Sequence, residues 1–223
     1  MEGTQTRRRF VPAAGLDWLL PLYDPLQALL GADAARRELL EQARLEPGQR
    51  ILDLGCGTGS LVVALKRRVP AAEVVGLDPD PKALARARRK CERAGVAVRF
   101  DRGFSDELPY AAASFERVLS SFMLHHLGSE EKRRTLAEVR RVLAPGGSLH
   151  VLDFGGSGQH SDGLVARLLH SREHMRDNLE GRIPELMRGA GLSDASEIGG
   201  RGSLFGRIAY YRGSATPGAA GAA

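Results

Sequence analysis

The most informative stretch of the sequence is Ile51-Leu52-Asp53-Leu54-Gly55-Cys56-Gly57-Thr58-Gly59. It begins with a short apolar run, which is typical of a parallel strand covered on both faces. Glycines follow at positions 55, 57 and 59, and residues 60–69 carry apolar side chains at helical spacing. The stretch therefore predicts a buried strand, a tight glycine turn and a helix, in that order.

The glycine turn also has the composition of a ligand-binding loop. Glycine lets a ligand lie directly against the main chain, and exposed amides at the start of a helix favour an electron-rich or anionic group. The spacing differs from the G-x-G-x-x-G turn of nicotinamide enzymes, because the third glycine comes one residue early and Asp53 precedes the first glycine by two. The alternative is a tight strand-to-helix turn that holds no ligand.

This pattern resembles motif I, E/D-x-G-x-G-x-G, of the class I S-adenosylmethionine (SAM) methyltransferases. The resemblance extends over roughly residues 16–212: residues 114–118 (S-F-E-R-V), 124–127 (L-H-H-L) and 143–147 (L-A-P-G-G) are similar to motifs of the ubiquinone/menaquinone-biosynthesis type. It implies SAM as cofactor, with S-adenosylhomocysteine as product. The resemblance also implies that the methionine part of SAM is held by Asp53, Gly55, Cys56, Gly57 and Gly59.

An acid at the end of the second predicted strand is the candidate ribose ligand. Residues 73–77 form that strand, and Asp78-Pro79-Asp80-Pro81 follows, about twenty residues after the glycine turn, where doubly wound folds carry a ribose-binding carboxylate. Asp78, with Pro79 beside it, is therefore assigned to the ribose. The alternative role of Asp78 is a helix N-cap, but Asp80 is better placed to cap the next helix, which leaves Asp78 free for the ligand.

After the third predicted strand, residues 96–100, the sequence departs from the family pattern. The family usually carries G-D-A-x-x-L-P-F there, and its aspartate binds the adenine amino group. Phe104 stands at the position of that acid and Ser105 at that of the small residue. The resemblance then implies that the backbone of Phe104 and Ser105 and ring packing hold adenine, with Asp106 as a substitute acid. Ser121, at the end of strand four, is also assigned to the cofactor site.

Four side chains are candidates for a general base: His125, His126, Asp153 and Tyr23. A sulfonium methyl group is already activated, so a base is needed only when the acceptor must lose a proton. Adjacent histidines on a helix point about 100° apart, so at most one is expected to face the cleft, and they do not predict a metal site. The alternative for each histidine is a backbone-bonded structural role. The resemblance also implies that Tyr23 closes over the cofactor; a packed aromatic of the cap is the alternative.

Length and composition indicate one soluble globular domain. The chain has 223 residues, of which 43% are hydrophobic and 26% charged, with a net charge of +5. The basic runs lack interleaved aromatic residues, so they indicate solvated helix faces rather than a nucleic-acid interface. Two cysteines, no membrane-length apolar run and no export signal after Arg7-Arg8-Arg9 favour a cytoplasmic location.

Together these patterns predict an α/β fold, doubly wound and Rossmann-like. We expect a mostly parallel seven-stranded sheet with an antiparallel edge hairpin at 195–199 and 206–212 and an N-terminal helical cap at 16–45. The expected organisation is a mobile N-terminus at 1–15, one methyltransferase domain at 16–213 and a disordered tail at 214–223. The oligomeric state is left open.

The predicted function is transfer of a methyl group from SAM to a small organic acceptor, such as a metabolite, a quinone precursor or a lipid-like molecule. Residues 121–124 read S-F-M-L, unlike the D/N-P-P-Y motif of base- and amide-directed N-methyltransferases. The alternatives are a SAM-binding protein that transfers no methyl group and an RNA methyltransferase, which the basic pI suggests.

Overall fold

A computed structural model of the chain describes residues 31–155, 172–203 and 206–216. The described strands are β1 (Arg50–Leu54), β2 (Glu73–Asp78), β3 (Arg99–Arg102), β4 (Phe115–Ser121), β5 (Leu143–Phe154), β6 (Ser193–Ser203) and β7 (Gly206–Ser214). The described helices are α1 (Ala32–Gln42), α2 (Ser60–Arg68), α3 (Pro81–Ala94), α4 (Ser129–Val142), α5 (Arg172–Leu179) and α6 (Ile183–Gly189), with a short 3₁₀ turn at Leu124–His126.

The strands form one sheet in the order β3-β2-β1-β4-β5-β7-β6. Strands β1 to β5 are parallel, whereas β7 pairs antiparallel with both β5 and β6. The predicted doubly wound sheet with an antiparallel edge hairpin is therefore confirmed. The chain order reverses beside β1, so the crevice for a ligand opens between the carboxyl ends of β1 and β4.

Strand β1 is covered on both faces, as its apolar run predicts. Ile51 belongs to a core cluster with side chains of α1, α2 and α3. Leu52 and Leu54 belong to a second cluster, which includes side chains of α4 and α6. Since neighbouring strand residues point to opposite faces, this division shows two helical layers enclosing the sheet. Asp53 lies on the Ile51 face, toward α1.

The glycine turn after β1 is tied to the end of β2. Gly55, Gly57 and Gly59 all have positive φ angles, of 73°, 51° and 81°, which glycine adopts without steric cost. The amides of Gly55 and Cys56 both donate to the carbonyl oxygen of Leu77, at 2.9 and 3.0 Å. A Cβ on Gly59 would lie 2.9 Å from the Cβ of Ala87, so this glycine lets α2 and α3 approach each other.

The structure extends the ordered domain past its predicted end at residue 213. Ser214 is part of β7, and buried Ala215 donates its amide to the Gly147 carbonyl at 2.8 Å. The small residues there give no strand signal, because their order comes from pairing with distant β5 and β6. The expected mobile N-terminus, the first half of the helical cap (residues 16–30) and residues 217–223 of the tail lie outside the described residues.

Within the described ranges, no helix has the length and apolar character needed to cross a bilayer.

We expect Gly59→Ala to destabilise the protein by about 1–3 kcal/mol more than Gly48→Ala. Both glycines have φ near 80°, at 81° and 80°, so both substitutions carry a left-handed backbone cost of about 1–2 kcal/mol. Only at Gly59 does the new methyl group meet a neighbour, since nothing lies within 4 Å of a Cβ on Gly48. Urea unfolding of both variants measures the difference, and equal losses would contradict the packing role.

Candidate active site

A cavity of about 550 Å³ opens at the carboxyl ends of the parallel strands. We call it the cofactor pocket. Its wall is built from the loops after β1, β2, β3 and β4, together with side chains from α1, α4 and α5. From the first two loops it takes the predicted residues Gly55, Cys56, Gly57, Asp78 and Pro79. From the next two it takes Phe104, Ser105 and Ser121.

Three of the residues assigned to the cofactor are not among the described lining of the pocket. Asp53 lies beneath it on β1 with 1% of its surface exposed, and Gly59 sits at the contact between α2 and α3. Tyr23 lies outside the described residues, so its closing over the cofactor stays a prediction.

The Asp78 carboxylate is held in place by the main chain. Its Oδ2 accepts from the Gly57 amide and its Oδ1 from the Asp80 amide, both at 2.9 Å. Asp80 in turn caps α3 by accepting from the Lys82 amide at 2.8 Å, as predicted. Asp78 is thus not the cap of α3, as expected, although both its oxygens already accept one bond; each keeps a further lone pair for a ligand. Burial raises the pKa of Asp78 to about 6, against the lowering effect of these bonds.

Asp53 is a buried acid without a hydrogen-bond partner among the described residues, at either oxygen. Burial raises its pKa to about 7; the guanidinium of Arg36 opposes this rise, and the Asp78 carboxylate adds to it. Arg36 projects from α1 into the wall of the cofactor pocket and packs 5.8 Å from the centre of the Phe122 ring. A buried carboxyl group without a partner in the protein can accept a hydrogen bond from the ammonium group of a ligand or from an ordered water.

The glycine loop presents bare main chain to the pocket. Gly57 lines it, and a Cβ built on this residue meets no atom within 4 Å, so any side chain there would occupy ligand space. A Cβ on Gly55 would come within 2.3 Å of Met123 Cγ, which brings the loops after β1 and β4 into direct contact. The backbone cradle and the unpartnered Asp53 carboxyl together fit the methionine part of SAM.

The loop after β4 contains a strained residue that the sequence did not predict. Phe122 has a φ of 55°, a conformation that non-glycine residues adopt at a cost of about 1–3 kcal/mol. Its amide donates to the Leu152 carbonyl at 2.8 Å, and its ring packs 5.1 Å from that of Phe154. These contacts hold Phe122 in the pocket wall between Ser121 and Met123.

The two adjacent histidines have different environments. His126 lines the cofactor pocket. His125 is buried behind it, with Nδ1 at 2.6 Å from Asp153 Oδ1 and its amide donating to Asp153 Oδ2 at 3.2 Å. The two imidazole rings are 4.0 Å apart between centroids. Neither His125 nor Asp153 is among the described residues that line the pocket, and the His125 ring contacts the pocket residue His126.

The region after β3 lines the pocket, but its polar groups are engaged. The Ser105 hydroxyl lies 2.9 Å from the Thr135 hydroxyl on α4. Asp106, the substitute acid suggested by the sequence, forms an ion pair with Arg134 at 3.1 Å. Phe104 also lines the pocket.

The sequence analysis missed the titratable pocket residues Arg36 on α1, Glu131 on α4 and His174 on α5. Glu131 accepts from the Gly128 amide at 3.0 Å. In the sequence, its place in the first turn of a predicted helix was the only indication of where it lies. Arg36 is one of many arginines on the predicted helices. Nothing local distinguishes these residues, because they reach the pocket through packing of distant helices.

We expect ligand-free Asp53→Asn to gain stability over the wild type as the pH rises from 5 to 8. Above about pH 4 aspartates of the unfolded chain ionise, whereas folded Asp53 keeps its proton up to about pH 7. The wild-type fold therefore binds more protons than the unfolded chain in this window and loses stability as the pH rises. Asparagine removes this loss, which is on the order of 2 kcal/mol, as measured by urea unfolding.

Glu92→Gln is the control, because it removes one negative charge from an exposed position of α3. The raised pKa of Asp78 also makes the wild-type stability fall as the pH rises. Asp53→Asn should therefore show a weaker pH dependence of stability than the wild type, rather than none. An unchanged pH dependence in Asp53→Asn would show that this carboxyl is not the buried acid responsible.

Comparison with known proteins identifies the family. The sequence model described as "Methyltransferase domain" matches residues 51–147. Demethylmenaquinone methyltransferase of Thermus thermophilus is 43% identical over 157 residues, which cover 69% of this chain and 70% of the relative. The enzyme of the same name from Deinococcus radiodurans is 37% identical over 153 residues, covering 67% of this chain and 63% of the relative.

Solved structures share the fold at low sequence identity. YcgJ from Bacillus subtilis superimposes with a TM-score of 0.67 at 17% identity, covering 83% of this chain and 99% of that one. A SAM-dependent methyltransferase from Aquifex aeolicus gives a TM-score of 0.63 at 17% identity, covering 81% and 89%. The chain belongs to the class I SAM-dependent methyltransferases of the ubiquinone/menaquinone-biosynthesis type.

Proposed function

We propose that this enzyme methylates a ring carbon of a reduced quinone precursor of the demethylmenaquinone class. The observation that carries the proposal is a single histidine, His126, in a stretch of pocket wall that otherwise consists of the apolar residues Phe122, Met123 and Leu127. The names of the relatives support it: two are demethylmenaquinone methyltransferases. A ubiquinone/menaquinone C-methyltransferase of Bdellovibrio bacteriovorus is 32% identical over 120 residues.

The residues after β1, β2 and β3 are proposed to hold the cofactor, which supplies a methyl group on a positively charged sulfur. The bare main chain around Gly57 takes the methionine part, and the buried carboxyl of Asp53 faces its amino group, directly or through water. Arg36 supplies a positive charge for its carboxylate. Asp78 takes the ribose hydroxyls, and the backbone and ring of Phe104 take the adenine.

The acceptor is proposed to lie on the β4 side of the pocket. In the sheet order, β1 separates β2 and β3 from β4, so residues after β4 lie across the crevice from Asp78. His174 on α5 adds a second polar group to this wall. Flat apolar side chains with few polar groups suit a fused aromatic ring that carries two hydroxyls.

His126 is the proposed general base. A phenolic hydroxyl that loses its proton to His126 donates electron density to the ring, which makes the neighbouring carbon nucleophilic. The new carbon–carbon bond forms as the methyl–sulfur bond breaks, and the ring carbon then releases its hydrogen as a proton. His125 and Asp153 are positioning residues, because they act through the ring of His126 and the Asp153 carboxylate is fixed by amides of His125 and Phe154.

We expect Asp78→Asn to weaken binding of S-adenosylhomocysteine about 10- to 100-fold, since the amide cannot accept at both positions. Asp80→Asn is the matched control: it removes the same charge two residues away and keeps an N-cap that asparagine also provides. Its affinity should stay within about threefold. Isothermal titration measures both, and equal affinity of Asp78→Asn and the wild type would refute the ribose assignment.

The acceptor is tested with SAM that carries a labelled methyl group. We expect label in a short-chain demethylmenaquinone only after its reduction to the quinol, since the oxidised ring has no hydroxyl proton to lose. Transfer to the oxidised quinone at the same rate, or preferential transfer to an RNA pool, would contradict the proposal.

In the same assay His126→Gln should lower the turnover number about 10²- to 10⁴-fold. The affinity for S-adenosylhomocysteine should stay close to that of the wild type, because His126 is assigned to the acceptor. The acidic limb of the rate–pH profile should also disappear. Glu131→Gln, in the same wall, is the control for a local packing change. Retention of full turnover by His126→Gln would exclude it as the base.

A further inference from the structure

A second cavity, of about 530 Å³, lies at the opposite end of the strands from the cofactor pocket. We call it the distal cavity. It is lined near the end of α1 by Glu41 and Arg44, and on the sheet by Arg117, Ser148, His150 and Arg212. None of these residues belongs to the cofactor pocket or to the proposed reaction.

The strand register brings the sheet residues of this cavity onto one face. Arg117 on β4 pairs with Ser148 on β5, and His150, two residues further along β5, pairs with Arg212 on β7. Paired residues point to the same face, as do residues two apart on a strand. Arg117 and Ser148 come before Ser121 and Leu152 on their strands, so the cavity lies toward the amino ends, away from the glycine loop.

The lining of the distal cavity concentrates positive charge. Three arginines and one glutamate line it, which gives a net formal charge of +2. Among the described residues, none of Arg44, Arg117 and Arg212 has a carboxylate within salt-bridge distance. Burial lowers the pKa of the Arg117 guanidinium, Glu46 raises it, and Arg212 lowers it further. Like charges brought together in a partly buried site favour an anion between them.

His150 supplies a second and independent observation. Its side chain is 2% exposed and its Nε2 lies 3.0 Å from the Ser148 hydroxyl. Its Nδ1 is buried without a hydrogen-bond partner among the described residues. Burial, and then Arg117 and Arg212, lower its pKa to about 3, so the ring is neutral at pH 7. In the tautomer in which Ser148 donates to Nε2, the ring proton is on Nδ1, and an anion in the cavity would accept from it.

We propose that the distal cavity binds the phosphate group of a soluble small molecule. A planar guanidinium group can donate two parallel hydrogen bonds to two oxygens of a phosphate. The net charge of the lining balances that of a dianion. The buried imidazole donor of His150 would bind a further oxygen. The volume accommodates an organic group attached to the phosphate, since ligand cavities of about 300–1,000 Å³ hold small molecules.

The test is isothermal titration of the full chain with inorganic pyrophosphate at constant ionic strength. We expect saturable binding that Arg212→Gln and Arg44→Gln each weaken at least about tenfold. Both side chains are exposed, so neither substitution should unfold the protein, which a thermal melt confirms. Arg89→Gln removes the same charge from an exposed position of α3 and should leave the affinity unchanged.

Three outcomes would overturn the proposal. One is no binding at millimolar pyrophosphate, and another is an equal loss in Arg89→Gln, which would indicate only general attraction by a basic protein. The third is that Arg212→Gln weakens binding to phosphatidylglycerol vesicles but not to pyrophosphate, which would make this face a lipid contact. A crystal soaked in pyrophosphate should show the anion between Arg117 and Arg212.

Discussion

The cofactor pocket depends on the hydrogen bonds that join the tips of β1 and β2. Two successive amides of the glycine turn share the Leu77 carbonyl, and the next glycine amide binds the Asp78 carboxylate. These bonds turn the chain sharply after β1 and leave the main chain around Gly57 facing the pocket. They also fix the Asp78 carboxylate, so the backbone and the acid that face the pocket are positioned by the same small network.

Two acids, Asp78 in the pocket lining and Asp53 beneath it, are poorly solvated in the free protein. Asp53 is fully buried with no partner among the described residues, and Asp78 is largely removed from water; burial raises the pKa of both. Such groups destabilise the ligand-free fold at neutral pH. A cofactor with a sulfonium and an ammonium group would offset this cost on binding, so the electrostatic strain of the empty site favours a cationic ligand.

The side chains at the two ends of the strands differ in charge. At the carboxyl ends, acids and bare backbone surround the cofactor pocket; toward the amino ends, arginines and a neutral buried histidine surround the distal cavity. Helix α1 contributes to both, with Arg36 in the first and Arg44, just past its end, in the second. The two cavities thus lie at opposite ends of the strands and have linings of opposite net charge.

The sequence by itself determined the features that short-range rules encode. The apolar run and three glycines predicted β1 and its turn, and the spacing of two aspartates showed that Asp80, not Asp78, caps α3. The 100° step between adjacent helical residues gave the expectation that one histidine of the pair faces the pocket, although not which one. The alternation of predicted strands and helices gave the doubly wound sheet, and the resemblance to a known family supplied SAM.

Only the tertiary structure decided which distant side chains meet. It brought Arg36 and His174 into the cofactor pocket, placed Asp153 behind His125, and tied both Asp78 oxygens to backbone amides. It also paired Ser214 with β5 and gathered arginines from three separate segments around the distal cavity. These contacts depend on strand register and on helix packing between residues far apart in the chain. A local pattern of residue types cannot predict them, because it does not distinguish one of many similar side chains from another.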